Sequence, residues 1–118
     1  MSQVENNVLN QAQAQLLLAA LKASSQGDFT VRLPVEEGLG EIADVFNEWV
    51  NLNQNFTTNI SQIFRAIADG DFSKKMTLEV AGKPLQGEFS QTATTVNTVV
   101  DRLNKVTSQA ISMTREVG

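Results

Sequence analysis

The most regular apolar pattern in the chain lies between residues 40 and 69, where large apolar side chains recur every three or four residues. This spacing predicts one long helix over about 40–69, because no proline and no glycine after Gly40 interrupts it. A repeat of about 3.5 residues is typical of helices that pack lengthwise against other helices. The predicted contact line, which we call the seam, consists of Ile42, Phe46, Trp49, Asn53, Phe56, Ile60, Ile63 and Ile67.

Two further helices are predicted, one on each side of the long helix. Residues 3–25 are rich in Gln, Ala and Leu, which favour helix, and Gly27 follows as a typical stop signal. Residues 88–117 form a second seam, which consists of Phe89, Thr92, Val96, Val99, Leu103, Val106, Ala110, Met113 and Val117. The chain is therefore expected to be all-α, with connectors at 26–39 and 70–87.

The two connectors share a pattern of glycines and apolar residues. In the first, apolar residues alternate with other residues from Phe29 to Val35, but Pro34 disfavours a regular strand. We predict an extended segment that buries alternate side chains against a bundle.

The second half of the chain repeats the first. Gly70-Asp71-Phe72 matches Gly27-Asp28-Phe29 at an offset of 43 residues, and Met76 falls where Leu33 does. Gly87-Glu88-Phe89 matches Gly40-Glu41-Ile42 at an offset of 47, so the second connector is four residues longer. Its extra length includes a turn signal, Gly82-Lys83-Pro84.

Composition excludes several kinds of chemistry. The chain has no histidine and no cysteine, so imidazole ligands and bases, thiolates, disulfides and a phospho-accepting histidine within it are excluded. Glu36, Glu37 and Glu41 suggest paired carboxylates, but no nucleophile or metal-ligand set accompanies them. We therefore expect no enzymatic activity, no cofactor and no bound metal.

Charge and hydropathy limit the possible partners. The net charge is −4 and no basic stripe is present, which argues against nucleic-acid binding. The longest apolar run, residues 16–21, is far shorter than the roughly 20 residues that cross a bilayer. Residues 1–7 do not have the pattern of a signal peptide. We expect a soluble chain that does not insert into a membrane.

The order of helix, glycine, connector, glycine and helix resembles the HAMP signalling module. In that family a glycine is followed by an apolar residue two positions on and by another four positions further. The matching residues are Gly27, Phe29 and Leu33, then Gly70, Phe72 and Met76, with Gly40 and Gly87 closing the two connectors. The resemblance implies that the apolar residues anchor the connectors to the bundle, with Phe29 and Phe72 as first anchors and Leu33 and Met76 as second anchors. Members also begin their second helix with an acidic pair, a variable residue and a glycine. Residues 36–42 come close to this pattern, whereas residues 83–89 lack both acids.

The resemblance implies a parallel homodimer in which each module is a four-helix bundle built from two helices per chain. The first module would span 1–58, with helix 3–25, connector 26–39 and helix 40–58. The second would span 57–118, with helix 57–69, connector 70–87 and helix 88–117. The segment from Gly87 to Val117, with Val96-Asn97-Thr98-Val99-Val100-Asp101, is similar to the repeated modules of multi-HAMP hybrid histidine kinases.

The function that this resemblance implies is a signal relay in the cytoplasmic part of a dimeric receptor. Its partners would be a second copy of the chain and the adjacent input and output domains of the same polypeptide. A histidine kinase is the expected output, and a chemotaxis receptor or a cyclase is the alternative. Family members next to a membrane usually carry a proline early in the first helix, and neither first-helix segment has one here.

Other interpretations of the pattern stay open. The chain could be a static coiled-coil spacer, or a monomeric four-helix bundle with a small ligand in its core. Asn53 could be solvated between two bundles, or it could be a buried amide that sets the helix register. Trp49 is expected to be a core residue rather than a platform for a ligand.

Overall fold

The computed structural model describes residues 8–117, with side chains as far as residue 113. The helices in this part of the chain are α1 (Gln11–Ser25), α2 (Glu41–Ala68) and α3 (Gly87–Val117). A 3-10 helix (Val35–Glu37) lies between α1 and α2, and strands β1 (Glu79–Val80) and β2 (Lys83–Pro84) lie between α2 and α3. The prediction of a helical chain with two connectors is confirmed for these residues.

Helix α2 continues through Asn53 without interruption, so the prediction of one long helix over about 40–69 is confirmed. Glu41 in its first turn and Arg65 in its last turn have the charges that favour those helix ends. The chain divides within this helix into two compact units, Met1–Gln54 and Asn55–Gly118. Helix α2 therefore contributes its first part to one unit and its second part to the other.

Helix α1 begins at Gln11 because Asn10 caps it. The side chain of Asn10 accepts a hydrogen bond of 2.7 Å from the Gln13 N–H, and Gln13 Oε1 accepts one of 3.0 Å from the Asn10 N–H. The predicted start at residue 3 is therefore wrong for residues 8–10, which are not helical. Residues 3–7 lie outside the described residues.

Helices α1 and α2 both end at a glycine in the left-handed conformation, with φ of +92° at Gly27 and +83° at Gly70. The N–H of Asp28 donates to the Ala23 carbonyl at 3.1 Å, and that of Asp71 donates to the Ala66 carbonyl at 2.8 Å. This arrangement satisfies carbonyls that the helix end leaves open. Glycine adopts the required φ without steric cost, so both helices stop at the predicted residue.

The core of the first unit combines α1, the connector and the start of α2. Its buried members are Ala20, Leu33, Leu39, Ala43, Phe46 and Val50, with Leu16, Leu17 and Val31 packed against them. Val35, which the alternating pattern predicts to be buried, is exposed. The 3-10 helix that begins at this residue breaks the extended alternation, so the predicted inward position of Val35 is wrong.

The second unit draws its buried residues from the same three parts, namely a helix, the connector and the next helix. They are Ile63, Ala66, Met76, Leu85, Ala93, Val96 and Val100. Its connector also contains a small antiparallel hairpin, in which Val80 is opposite Lys83 and both turn residues, Ala81 and Gly82, have positive φ. The hairpin takes up extra length in the second connector.

The buried residues indicate a different repeat register from that of the glycines. Gly40 and Gly87 are 47 residues apart, but the buried trio Ala43, Phe46 and Val50 corresponds to Ala93, Val96 and Val100 at an offset of 50. Helix α3 therefore has about one additional turn before its buried positions. The match of Gly87-Glu88-Phe89 to Gly40-Glu41-Ile42 therefore applies to the closing glycines, which both have positive φ, and does not extend to the buried positions of the helices.

Val50 and Val100 occupy equivalent, fully buried positions in the two units. Replacing either with alanine removes buried methyl groups, and we expect the free energy of unfolding to fall by about 1–2 kcal/mol in each case. Urea unfolding measures the change, with Val35→Ala as the exposed control. A loss no larger than that of Val35→Ala would contradict the burial of these two positions.

Candidate functional site

The first connector is fastened to α2 through the backbone of its second anchor, Leu33. The Leu33 N–H donates to Asn47 Oδ1 at 2.7 Å, and Asn47 Nδ2 donates to the Leu33 carbonyl at 3.0 Å. Leu33 is 3% exposed, so its peptide groups lie where water is scarce. One amide side chain on α2 therefore satisfies both backbone polar groups of the residue that the core buries.

The second connector repeats this arrangement on α3. The Met76 N–H donates to Asn97 Oδ1 at 2.6 Å, and Asn97 Nδ2 donates to the Met76 carbonyl at 3.2 Å. We call each such pair of hydrogen bonds an asparagine clamp. The two clamps are Leu33 with Asn47 and Met76 with Asn97, and they connect the same parts of the two units.

The asparagines were not predicted as site residues, although the sequence contains a signal for them. Each follows a buried residue, Phe46 or Val96, and each stands three residues before a fully buried valine. A comparison of the two halves at an offset of 50 would have aligned Asn47 with Asn97. The glycine offset of 47 places them out of register.

The segment after each helix-ending glycine is also the same in the two units. Asp28 Oδ1 accepts hydrogen bonds from the Thr30 N–H at 3.0 Å and the Thr30 hydroxyl at 2.5 Å. Asp71 Oδ1 accepts the corresponding pair from Ser73 at 3.0 and 2.5 Å. The hydroxyl is the main cause, and the N–H the next, of a pKa below the ordinary 3.8 for each aspartate.

The predicted connector residues lie in three kinds of environment. The second anchors Leu33 and Met76 are buried, whereas the first anchors Phe29 and Phe72 are half-buried. The four glycines, Gly27, Gly40, Gly70 and Gly87, are exposed and all have positive φ. Two further buried connector residues, Leu39 and Leu85, were not predicted. Each is an isolated leucine one or two residues before the closing glycine, which is a weak signal by itself.

The second connector makes further polar contacts with α2 and α3. Asn59 Oδ1 on α2 accepts a hydrogen bond of 2.8 Å from the Thr77 N–H, next to the second anchor. Lys75 Nζ lies 2.7 Å from Asp101 Oδ1, but both side chains are at least half exposed, so this ion pair contributes little. In the first connector, Arg32 instead donates to the Phe29 and Val31 carbonyls and to Gln54 Oε1.

Within a single chain, only part of each predicted seam is covered. The buried members are Phe46, Ile63 and Val96, and the half-buried members are Asn53, Phe56, Ile60, Ile67, Phe89, Thr92 and Leu103. The exposed members are Ile42, Trp49, Val99, Val106, Ala110 and Met113. The side chain of Val117 lies outside the described side chains. Burial of the exposed members in a larger assembly stays a prediction.

The exposed part of the α2 seam forms a shallow apolar depression. Ile42, Val45 and Trp49 line it together with Glu41 and Phe46. The Trp49 ring makes an edge contact with the Phe46 ring, with centroids 5.8 Å apart. Asn53, one turn further on, donates from Nδ2 to the Trp49 carbonyl of its own helix at 2.9 Å. Large apolar side chains that share one exposed face are a typical site of association.

In the described part of the chain, no three or more His, Cys, Asp or Glu side chains are grouped so that they could hold a metal ion. Among the same residues, no helix has the length and hydrophobicity needed to span a membrane. The features that repeat are connectors, clamps and seams.

A comparison with known protein families finds a match in the second unit. Residues 58–105, all of which lie in the second unit, match the family model described as HAMP domain. The match includes the end of α2, the whole second connector and α3 through its buried positions. A HAMP domain is a signal-relay linker of sensor and receptor proteins, and it functions in dimeric receptors between adjacent domains. No solved structure matches the chain.

Loss of an asparagine clamp should destabilise its unit. In Asn97→Ala the N–H and carbonyl of the buried Met76 lose their partners, so we expect unfolding free energy to fall by about 2 kcal/mol. Asn47→Ala should have a similar effect through Leu33. Urea unfolding and amide exchange at Met76 and Leu33 measure these effects. Asn104→Ala, an exposed change on α3, is the control, and equal losses in all three variants would refute the role of the clamps.

The lowered pKa of Asp28 should depend on Thr30. Thr30→Val removes the hydroxyl donor and keeps the N–H, so we expect the pKa of Asp28 to rise towards 3.8 while that of Asp71 stays lowered. A carboxyl group with a lowered folded-state pKa stabilises the fold above its unfolded pKa, and the contribution is lost as the pH falls through the folded pKa. The variant should therefore lose less stability on acidification. Carboxyl titration by NMR tests this expectation. In Ser73→Ala, conversely, the pKa of Asp71 should rise while that of Asp28 stays lowered.

Proposed function

We propose that the chain is a tandem pair of HAMP modules that relays conformational change between an input and an output domain. The observation that carries this proposal is the repetition of the asparagine clamp. The first unit has the same helix-ending glycine, Asp turn, buried second anchor and clamp as the unit that matches the family model. The connector residues of the matched unit therefore have counterparts in the first unit, and this likeness supports a second module of the same type.

The proposed assembly is a parallel homodimer with two four-helix bundles, the first formed by residues 1–58 and the second by residues 57–118. Exposed seam residues on α2 and α3 support it, because an apolar line that one chain leaves open can be covered by the same line of a second chain. The first bundle would bury Ile42 and Trp49 against the same residues of the second chain. The second bundle would bury Val99 in the same way.

The relay mechanism rests on helix packing. Each bundle would have two packings of similar free energy that differ in helix rotation or tilt, and a change in the first would bias the second through α2. Small residues at covered positions, such as Ala20, Ser24 and Ala93, permit such alternatives more readily than large ones. The clamps would keep each connector attached to its second helix in both states.

The proposed setting is the cytoplasmic part of a sensor protein whose output is a histidine kinase. Support comes from the similarity of residues 87–117 to the modules of multi-HAMP hybrid histidine kinases. In this setting the chain itself has no catalytic role, and its partners are a second copy and the flanking domains. A fusion that places the chain between a dimeric sensor and a kinase core should make autophosphorylation depend on the sensor ligand. Ligand-independent activity would favour a static spacer.

Disulfide cross-linking tests the parallel dimer directly, since the natural chain has no cysteine. Single variants Ile42→Cys and Trp49→Cys should each form a disulfide-linked dimer under mild oxidation. The two positions are about 10 Å apart along the helix. An antiparallel pair brings like residues together at only one level, so cross-linking at both positions requires parallel chains.

Glu48→Cys is the matched control for this experiment. Residue 48 precedes Trp49 and is exposed on another face of α2, so it should cross-link much more slowly. Equal rates at 48 and 49 would show that the seam does not direct association. A concentration-independent monomer in light scattering would remove the dimer and favour the monomeric bundle.

A further inference from the structure

A single side chain connects the start of α1 to the end of the first connector. Gln13 Oε1 accepts the Asn10 N–H as part of the helix cap, while Gln13 Nε2 donates to the Glu37 carbonyl at 2.8 Å. Glu37 is the last residue of the 3-10 helix and lies shortly before the start of α2. Both ends of the amide are therefore used, one on each segment.

The neighbouring Gly38 leaves the space that this contact requires. A Cβ atom at position 38 would lie 3.0 Å from Gln13 Nε2, and the φ of +75° is one that side chains rarely adopt. Gly38 therefore allows the Gln13 amide to approach the backbone closely. The contact is specific to the geometry at this end of the connector.

The second unit has a different contact at the equivalent level. Phe56 follows Gln13 at an offset of 43, the same offset that relates Leu33 to Met76. Its ring meets the ring of Phe89, in the first turn of α3, with centroids 5.1 Å apart and an interplanar angle of 76°. In both units, the same position on the first helix thus touches the chain close to where the second helix starts.

We propose that Gln13 and Phe56 are positioning residues that couple the start of the first helix in each unit to the start of the second. The inference deepens the proposed relay and rests on it for its biological meaning. A displacement at the start of α1 then reaches Glu37, four residues before the start of α2, without passing along the rest of the connector. Phe56 couples α2 to the start of α3 in the same way, through its contact with Phe89.

The chemistry of the two contacts predicts different strengths. The Gln13 hydrogen bond lies in an exposed region and competes with water, so its net contribution is small. The edge-to-face pair of Phe56 and Phe89 is half-buried and does not have this competitor. The contact in the first unit is therefore the easier one to break.

Gln13→Glu separates the contact from the helix cap. Glutamate can still accept the Asn10 N–H, but it cannot donate to the Glu37 carbonyl. The amides of Ile42, Ala43 and Asp44, which form the first turn of α2, should exchange about threefold to fivefold faster. The Ala14 amide in the first turn of α1 should exchange at its original rate.

Gln15→Glu is the matched control, because it makes the same charge change at an exposed position on the same helix. Exchange in the first turn of α2 that is unchanged, or that changes equally in both variants, would overturn the role of Gln13. This readout concerns contacts within one unit. A failed cross-linking experiment would reject the proposed homodimer but would not change the amide exchange within one unit. Failure of the proposed dimer and failure of the Gln13 coupling are therefore distinguishable.

Phe56 is tested by a double-mutant cycle with Phe89. Phe56→Leu and Phe89→Leu should each accelerate exchange of the Ser90 amide, which donates to the Gln86 carbonyl at 3.3 Å in the first turn of α3. The double variant should be little faster than either single one, since the same contact is lost. Additive effects would show that the two rings act independently and would overturn the coupling in the second unit.

Discussion

The main constraint on this structure is that each connector buries part of its backbone without a regular helix or sheet to satisfy the peptide groups. A helix or a sheet satisfies its peptide groups internally, whereas an irregular segment pressed against helices cannot. At Leu33 and Met76 the apolar side chain is buried, and the adjoining N–H and carbonyl would otherwise lose water without replacement. A helix asparagine provides one acceptor and one donor at the required spacing.

This constraint also fixes the position of each connector along its second helix. A hydrophobic contact alone tolerates sliding, because apolar surfaces have no preferred direction. Two directional hydrogen bonds to one amide do not tolerate it, so the anchor is held at one level of α2 or α3. In the proposed relay, a connector held in this way moves with its second helix. The first helix is then the element with more freedom to shift.

Both units satisfy the buried backbone with an asparagine clamp, but the rest of each connector differs. The second connector is longer, forms a hairpin and has a hydrogen bond from the Thr77 N–H to Asn59 Oδ1, whereas the first has a 3-10 turn and the Arg32 contacts. The register of the buried positions then differs from that of the closing glycines by about one helical turn. A repeat can therefore change its connector length and still present an equivalent buried trio and clamp.

Local features of this chain were readable from its sequence. Gly27 and Gly70 marked the ends of α1 and α2, and an uninterrupted apolar repeat predicted α2. The resemblance to the HAMP module pointed to Leu33 and Met76 as anchors, and both are buried. These features depend on residues within a few turns of each other. Only the tertiary structure revealed the clamps, the buried Leu39 and Leu85, and the division of each seam into covered and open positions. A periodic stripe shows that a helix has an apolar face, but the segments that cover it lie many residues away, and their placement decides which side of the stripe one chain buries.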